Sequence, residues 1–277
     1  MNKILILGDR GMLGSMVVKV FKDAEVKYDI INHDFRSPGL PKNIYKYEWI
    51  INCIGKIKPT IDENNASSVW QAILINSELP YKLQYGGVKI IQIATDCVFD
   101  GSKGKYTETD LHNATDVYGK TKSLGEVKGE KFYNIRCSII GPEFRKEKRS
   151  LFEWFMGQEK NASIKGFTNH MWNGVTTYQF AKLCLGIIKE NYEPYDLLHF
   201  VPADMMMKSA LLKNMADIWG RKDLRITETK APQKVDRTLA TNHSFQNEMY
   251  WRLAGYKTVP TIRTMLEDLH NYLQGEK

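Results

Sequence analysis

The sequence predicts an α/β protein, a doubly wound parallel sheet with a smaller C-terminal substrate-binding lobe. Three observations predict it. Apolar strand-like runs alternate with helix-length segments through the first half of the chain, the pattern of βαβ units on a parallel sheet. A glycine-rich turn separates the first strand from the first helix. Beyond about residue 190 the alternation gives way to Met-rich and polar stretches.

Taken in order, residues 3–7 (KILIL) read as a buried strand and 12–24 as the helix after it. Residues 29–32 give a second strand and 49–54 (WIINCI) a third, buried one. A long helix spans 68–86, bent near Pro80, which has no N–H for the helical ladder. Strand 88–94, helix 117–128 and strand 132–139 follow, then helices at 151–160, 177–190 and 261–274. No repeat, low-complexity tract or linker interrupts the 277 residues. The expected division is a dinucleotide-binding part over 1–141, with a contribution from about 166–190, and a lobe made of 142–165 and 191–277.

Composition excludes several classes. At 43% hydrophobic and 26% charged residues the chain is of ordinary globular type. No run of 18 apolar residues offers a membrane span. The N-terminus lacks a signal-peptide cleavage site, so a cytoplasmic protein is expected. The net charge is +7, yet the densest basic cluster, Arg145-Lys146-Glu147-Lys148-Arg149, is broken by a glutamate, and no nucleic-acid motif is present. Diphosphate ligands use such a field equally well. Cys53, Cys97, Cys137 and Cys184 stand far apart, without a CxxC pair or Cys/His cluster; reduced thiols and no metal are expected.

Gly8-Asp9-Arg10-Gly11-Met12-Leu13-Gly14 is GxxGxxG between a strand and a helix. Gly8 and Gly11 let the backbone turn tightly and approach a pyrophosphate, while Gly14 lets helix and strand pack closely. This marks a Rossmann-type sheet. Met12 and Leu13, with Cys53, Ile54 and Gly55 after the third strand, complete the expected cofactor wall, and Lys56 follows on the substrate side. The adenosine ribose is expected at Asn32-His33-Asp34-Phe35-Arg36. Asp34 suits a free ribose diol, and Arg10 and Arg36 suit a 2′-phosphate. NADP is the expected cofactor, with NAD as the alternative.

The strand at 88–94 runs into Ala94-Thr95-Asp96-Cys97-Val98-Phe99-Asp100-Gly101, and Tyr118-Gly119-Lys120-Thr121-Lys122 follows. Four residues apart on a helix, Tyr118 and Lys122 share one face. A phenol ordinarily titrates near pH 10, and a neighbouring ammonium lowers that value. Such a pair suits proton transfer.

These motifs, with Lys122-x-x-Gly-Glu126 and Arg136-Cys137-Ser138-Ile139-Ile140-Gly141, resemble the extended short-chain dehydrogenase/reductase superfamily, and within it the dTDP-4-dehydrorhamnose reductase family. The resemblance is strong over residues 1–141 and faint beyond about 190. It implies that Thr95 hydrogen-bonds the substrate carbonyl, Tyr118 donates its proton, and Lys122 holds the nicotinamide ribose and lowers the Tyr118 pKa. It also implies a nucleotide-diphosphate sugar as substrate, deoxysugar biosynthesis for a surface polysaccharide, and allows a homodimer.

The chain departs from the family in two places. The family's STDYVF reads ATDCVF here, and Ser138 lacks the tryptophan that often follows. His170 and Trp172 are expected to supply the missing sugar contacts, alongside Asp96 and Cys97. The superfamily's dehydratases carry Thr-Asp-Glu where this chain has Cys97, so reduction is expected. Cys97 also resembles the cysteine of GDP-fucose synthase, which leaves a combined epimerase and reductase as one alternative. A non-catalytic dinucleotide-binding regulatory subunit, like that of methionine adenosyltransferase, is the other.

Overall fold

The computed structural model describes residues 3–37, 39–145 and 147–275. Strand β1 (Ile4–Leu7) is buried along its whole length and turns at Gly8 into helix α1 (Met12–Asp23). Gly8 takes a φ of 83°, a left-handed conformation that suits glycine. Gly14 is required by packing instead, because a Cβ there would stand 2.0 Å from the Gly8 carbonyl oxygen.

Strands β2 (Asp29–Ile30) and β3 (Trp49–Asn52) follow. The long helix expected next is three pieces: α2 (Ala66–Ile73), a π-helical turn over Leu74–Glu78, and α3 (Leu79–Gln84). Pro80 lies in the first turn of α3, and the π turn before it takes up the irregularity.

Strand β4 (Lys89–Thr95), helix α4 (Val117–Leu124) and strand β5 (Phe132–Cys137) complete the alternating half. Helix α4 stops four residues short of the expected end, because the chain leaves it at Gly125. The second half holds β6 (Ile139–Ile140), α5 (Leu151–Met156), β7 (Ser163–Phe167), β8 (His170–Trp172), β9 (Val175–Thr176) and α6 (Thr177–Lys189). After these come β10 (Leu197–His199), β11 (Met206–Met207), α7 (Lys208–Ile218), β12 (Arg225–Thr229), β13 (Val235–Asp236), α8 (Ser244–Leu253) and α9 (Ile262–Gln274).

The central sheet runs β2-β1-β3-β4-β5-β10, and every pairing in it is parallel. Alternate residues of β1 feed opposite faces. Ile4 and Ile6 join the core shared with α1 and α6, whereas Leu5 and Leu7 join that of Leu79 and Leu83 on α3. Helices therefore cover both faces, and the fold is the doubly wound parallel sheet that the sequence predicts.

Leu197–His199, expected in the lobe, is the sixth strand of the central sheet, with Leu198 opposite Ile135. Helix α8 also belongs to this body, since it packs on α6 and Trp251 donates to the Val201 carbonyl at 2.7 Å. Within 166–190, α6 packs on α1, but β8 joins the small sheet β11-β8-β13 and β7 pairs with β12. Three-residue strands leave too little periodicity to be assigned from sequence. Among the described residues no helix is long and apolar enough to cross a membrane.

Candidate active site

From β1 the chain winds to β2 on one side and to β3, β4 and β5 on the other. The carboxyl ends of parallel strands beside such a reversal leave a crevice. Here the crevice measures about 660 Å³. Gly11, Met12 and Leu13 line it from the glycine turn, Cys53 to Lys56 from the end of β3, and Thr95 to Cys97 from the end of β4. Tyr118 and Lys122 enter from α4, and Cys137 and Ser138 from the end of β5. Gly8 and Gly14 shape the turn without lining the crevice.

Helix α4 presents Tyr118 because Asp116 caps it, accepting from the Gly119 N–H at 2.9 Å. Burial raises the Tyr118 pKa above its ordinary value, while a hydrogen bond with Thr95 pulls the other way. The phenol thus keeps its proton at neutral pH, as a proton donor must. Lys122 is 7% exposed, and its ammonium donates to the Ile93 carbonyl at 2.8 Å. Burial lowers its pKa to about 8, and Glu126 opposes that shift. Lys122 is tied to the Ile93 carbonyl, and desolvation of the phenol is the largest influence on the Tyr118 pKa.

The Thr95 hydroxyl accepts from the Cys97 N–H at 3.2 Å and lies 3.3 Å from Asp96 Oδ1. Burial raises the Asp96 pKa. Burial, followed by the Asp96 carboxylate, pushes the Cys97 thiol up to about 12. A thiol so placed stays protonated at neutral pH, which disfavours Cys97 as a base.

On the opposite wall, Asn76 from the π turn accepts from the Lys56 N–H at 2.9 Å and donates to the Lys56 carbonyl and to Thr121 on α4. Lys56 Nζ donates to Gln71 at 3.3 Å. At the ribose end Asp34 and Arg36 both line the crevice, but they face each other: Arg36 donates to both Asp34 oxygens, at 2.8 and 2.9 Å.

Three expected residues stand elsewhere. Arg10 is exposed and does not line the crevice, since the turn directs it to solvent. Trp172 is 8% exposed, lies in the core and donates to Ser138 Oγ at 2.9 Å, so it backs a lining residue from behind. His170 bonds the Gln233 carbonyl at 3.0 Å, because β8 pairs there with β13.

Sequence reading missed Glu143, Arg145 and Arg149, which line the crevice. Buried Glu143 accepts from the backbone of Ser150 and from Arg145, both at 2.7 Å, and so folds this basic cluster over the site. The broken charge run was the one visible signal. Lys208 and Arg237 were missed as well; both act electrostatically on Asp96. Neither lies in a recognisable motif. Among the described residues no group of three or more His, Cys, Asp or Glu side chains could hold a metal.

A family model described as the RmlD substrate binding domain matches residues 1–274. A curated dTDP-4-dehydrorhamnose reductase of Aggregatibacter actinomycetemcomitans is 34% identical over 141 residues, 46% of each chain. Methionine adenosyltransferase 2 subunit beta of Bos taurus is 30% identical over 140 residues, 45% of this chain and 42% of that one. The matched segments thus span about half the length of these curated relatives. The solved dTDP-4-dehydrorhamnose reductase of Bacillus anthracis, in complex with NADP, superposes with a TM-score of 0.75 at 16% identity, covering 99% of this chain and 100% of that chain. At that identity the likeness concerns the fold.

Proposed function

The chain belongs to the RmlD substrate binding domain family, and from that premise we propose that it is an NADPH-dependent reductase of a nucleotide-activated 4-keto-6-deoxy sugar. The observation that carries this reading is the convergence of Thr95, Tyr118 and Lys122 with the glycine turn in one crevice at the reversal of strand order. A dinucleotide fits that turn, because Gly11 lines the crevice without a side chain at the N-terminus of α1, which no side chain caps. Gly11, Met12 and Leu13 would hold its pyrophosphate, and Cys53, Ile54 and Gly55 its opposite side. When bound, the nicotinamide supplies the hydride.

Thr95 then orients the ketone oxygen with its hydroxyl. As negative charge develops on that oxygen, Tyr118 gives up its proton to it, so the carbonyl becomes a secondary alcohol. Lys122, kept cationic by Glu126 below about pH 8, stabilises the phenolate left behind. The lobe around β8, β11 and β13 would close the sugar end, and deoxysugar biosynthesis in the cytoplasm is the setting.

The test is a panel of dTDP-, UDP- and GDP-linked 4-keto-6-deoxy sugars, following NADPH and NADH consumption. At least one should be reduced, and Tyr118→Phe should lower turnover by about 10² to 10⁴ while cofactor binding persists. Turnover that survives Tyr118→Phe unchanged removes Tyr118 from the chemistry. The likeness to methionine adenosyltransferase 2 subunit beta supports a second reading, a regulatory subunit that binds dinucleotide. That reading expects tight NADPH binding with no reduction across the whole panel.

A further inference from the structure

Strands β5 and β10 run parallel, so both begin at the edge of the sheet that faces away from the crevice. At that edge the segments entering the two strands leave a second cleft, of about 270 Å³. Glu130 and Lys131 line it on the β5 side, Glu193, Pro194 and Asp196 on the β10 side, and Tyr133 from within β5. The two sides meet where the Asn134 N–H donates to the Asp196 carbonyl at 2.8 Å.

In a chain of net charge +7 this cleft carries three carboxylates and one lysine. The Lys131 ammonium is taken up by the Gly87 carbonyl at 3.3 Å, and Glu193 pairs with Lys89 at 3.0 Å. Among the described residues the Glu130 and Asp196 carboxylates make neither a hydrogen bond nor an ion pair. Tyr133 is an independent sign of a missing partner. It is 4% exposed and its ring lies 6.0 Å from that of Trp49, yet its hydroxyl has no hydrogen bond among the described residues. Burial, followed by the Glu193 carboxylate, pushes this phenol up to about 12. The hydroxyl end therefore stands toward Glu193 and the cleft, stays neutral, and keeps lone pairs to offer an N–H. Leaving a buried hydroxyl unpaired is costly, and a donor arriving in the cleft offsets that cost.

We propose that this cleft binds a linear diammonium or polyammonium ion. A volume of about 270 Å³ is far more room than one bare ion fills. Among the described residues no three acidic or metal-ligating side chains are grouped so as to hold a metal. The carboxylates instead stand on both sides, Glu130 on one and Glu193 and Asp196 on the other. Charges spaced along a flexible chain meet that arrangement better than a single point charge. Each ammonium brings three donors, one of which the Tyr133 hydroxyl can accept. Pro194 and the Tyr133 ring offer the intervening methylenes an apolar surface. The bound ion would tie residues 193–196 to Glu130, and so fasten the sixth strand to the sheet. The cleft lies at the opposite edge from Thr95 and Tyr118, and the proposal stands apart from the reductase reading.

The test is titration calorimetry of the full chain with spermidine and 1,4-diaminobutane at fixed ionic strength. Butylamine, 1,4-butanediol and magnesium chloride serve as probes of one charge, no charge and a metal ion. Wild-type protein should bind spermidine most tightly, then the diamine, with butylamine and the diol far weaker. Tyr133→Phe should weaken spermidine by roughly 3- to 20-fold, and Glu130→Gln combined with Asp196→Asn by a similar factor. NADPH should bind all of these proteins alike. Tyr133→Phe removes only an unpaired hydroxyl, so its thermal midpoint without ligand should hold; the double variant alters surface groups alone and gives a second reading. Spermidine should raise the midpoint of wild type more than that of either variant.

Wild-type protein that binds no spermidine overturns the proposal. Equal spermidine affinity in wild type and both variants does so too, since the ion would then be held by the protein's general field. Magnesium that binds with the same dependence on Tyr133 and on the carboxylates overturns it as well, by making the occupant a metal ion.

Discussion

Arg36 donates to both carboxylate oxygens of Asp34, and the pair sits exposed at the ribose end of the crevice. Its hydrogen bonds hold the Asp34 carboxyl below the usual carboxylate range. A 2′-phosphate would draw Arg36 away from Asp34, whereas a free ribose diol would compete for Asp34 itself. Arg36→Ala should therefore weaken NADPH by about tenfold and leave NADH unchanged or tighter, because Asp34 is released. Fluorescence titration of both reduced cofactors against wild type and variant reads the ratio. Equal weakening of the two would mean that Arg36 does not read the phosphate. Both residues were legible in the sequence, but that they neutralise each other was not, because a side-chain pairing two positions apart in a loop depends on the loop's path.

The π turn between α2 and α3 matters because of where it sends Asn76. Its side chain spans both backbone groups of Lys56 on one wall and Thr121 Oγ1 on α4, the helix that carries Tyr118 and Lys122. Ser77, from the same turn, donates to the Thr121 carbonyl at 2.8 Å. An unbroken α-helix would rotate the following residues about its axis and lose this double attachment. Asn76→Ala leaves the Lys56 N–H and carbonyl without their partner, at a cost of about 2 to 3 kcal/mol. Chemical denaturation should show that loss with an unchanged m-value. A change under 0.5 kcal/mol would mean that the bridge is not what joins the wall to α4. From sequence the segment reads as one bent helix, since helical periodicity is blind to a single extra residue per turn.

At the scale of the whole molecule, a buried polar network ties the central sheet to the C-terminal segments. Arg136 on β5 is fully buried; it donates to Glu126 at 2.9 Å and contacts His112 at 2.7 Å and His199 at 2.6 Å. His199 Nδ1 reaches the Ala240 carbonyl at 2.6 Å, and its backbone N–H donates to Glu108 at 3.0 Å. Burial and then Arg136 lower the His199 pKa to about 4, whereas Glu108 opposes that shift. The ordinary value is 6.5. Between those values the unfolded chain binds more protons than the folded one, so stability falls as pH drops from 6.5 toward 4, by an amount on the order of 2 to 3 kcal/mol. Glu108, whose pKa is lowered on folding, adds to the same trend at the acid end. His199→Gln should flatten the dependence of the thermal midpoint on pH across that window. A slope as steep as that of wild type would assign the acid sensitivity elsewhere.

The sequence by itself determined the parallel sheet, the glycine turn and the shared helix face of Tyr118 and Lys122, and the family resemblance added Thr95 to them. Each of these rests on local order: apolar runs of strand length, glycines where a backbone must turn or touch, and a four-residue helical spacing. Only the tertiary structure decided that Leu197–His199 completes the central sheet, that Trp172 stands behind Ser138, that His170 serves β13, and that Arg10 faces solvent. It alone brought Arg237 to the Phe99 carbonyl. Most of those outcomes depend on contacts between segments far apart in the chain, and such contacts are fixed by the packing of the whole core, which no local pattern encodes.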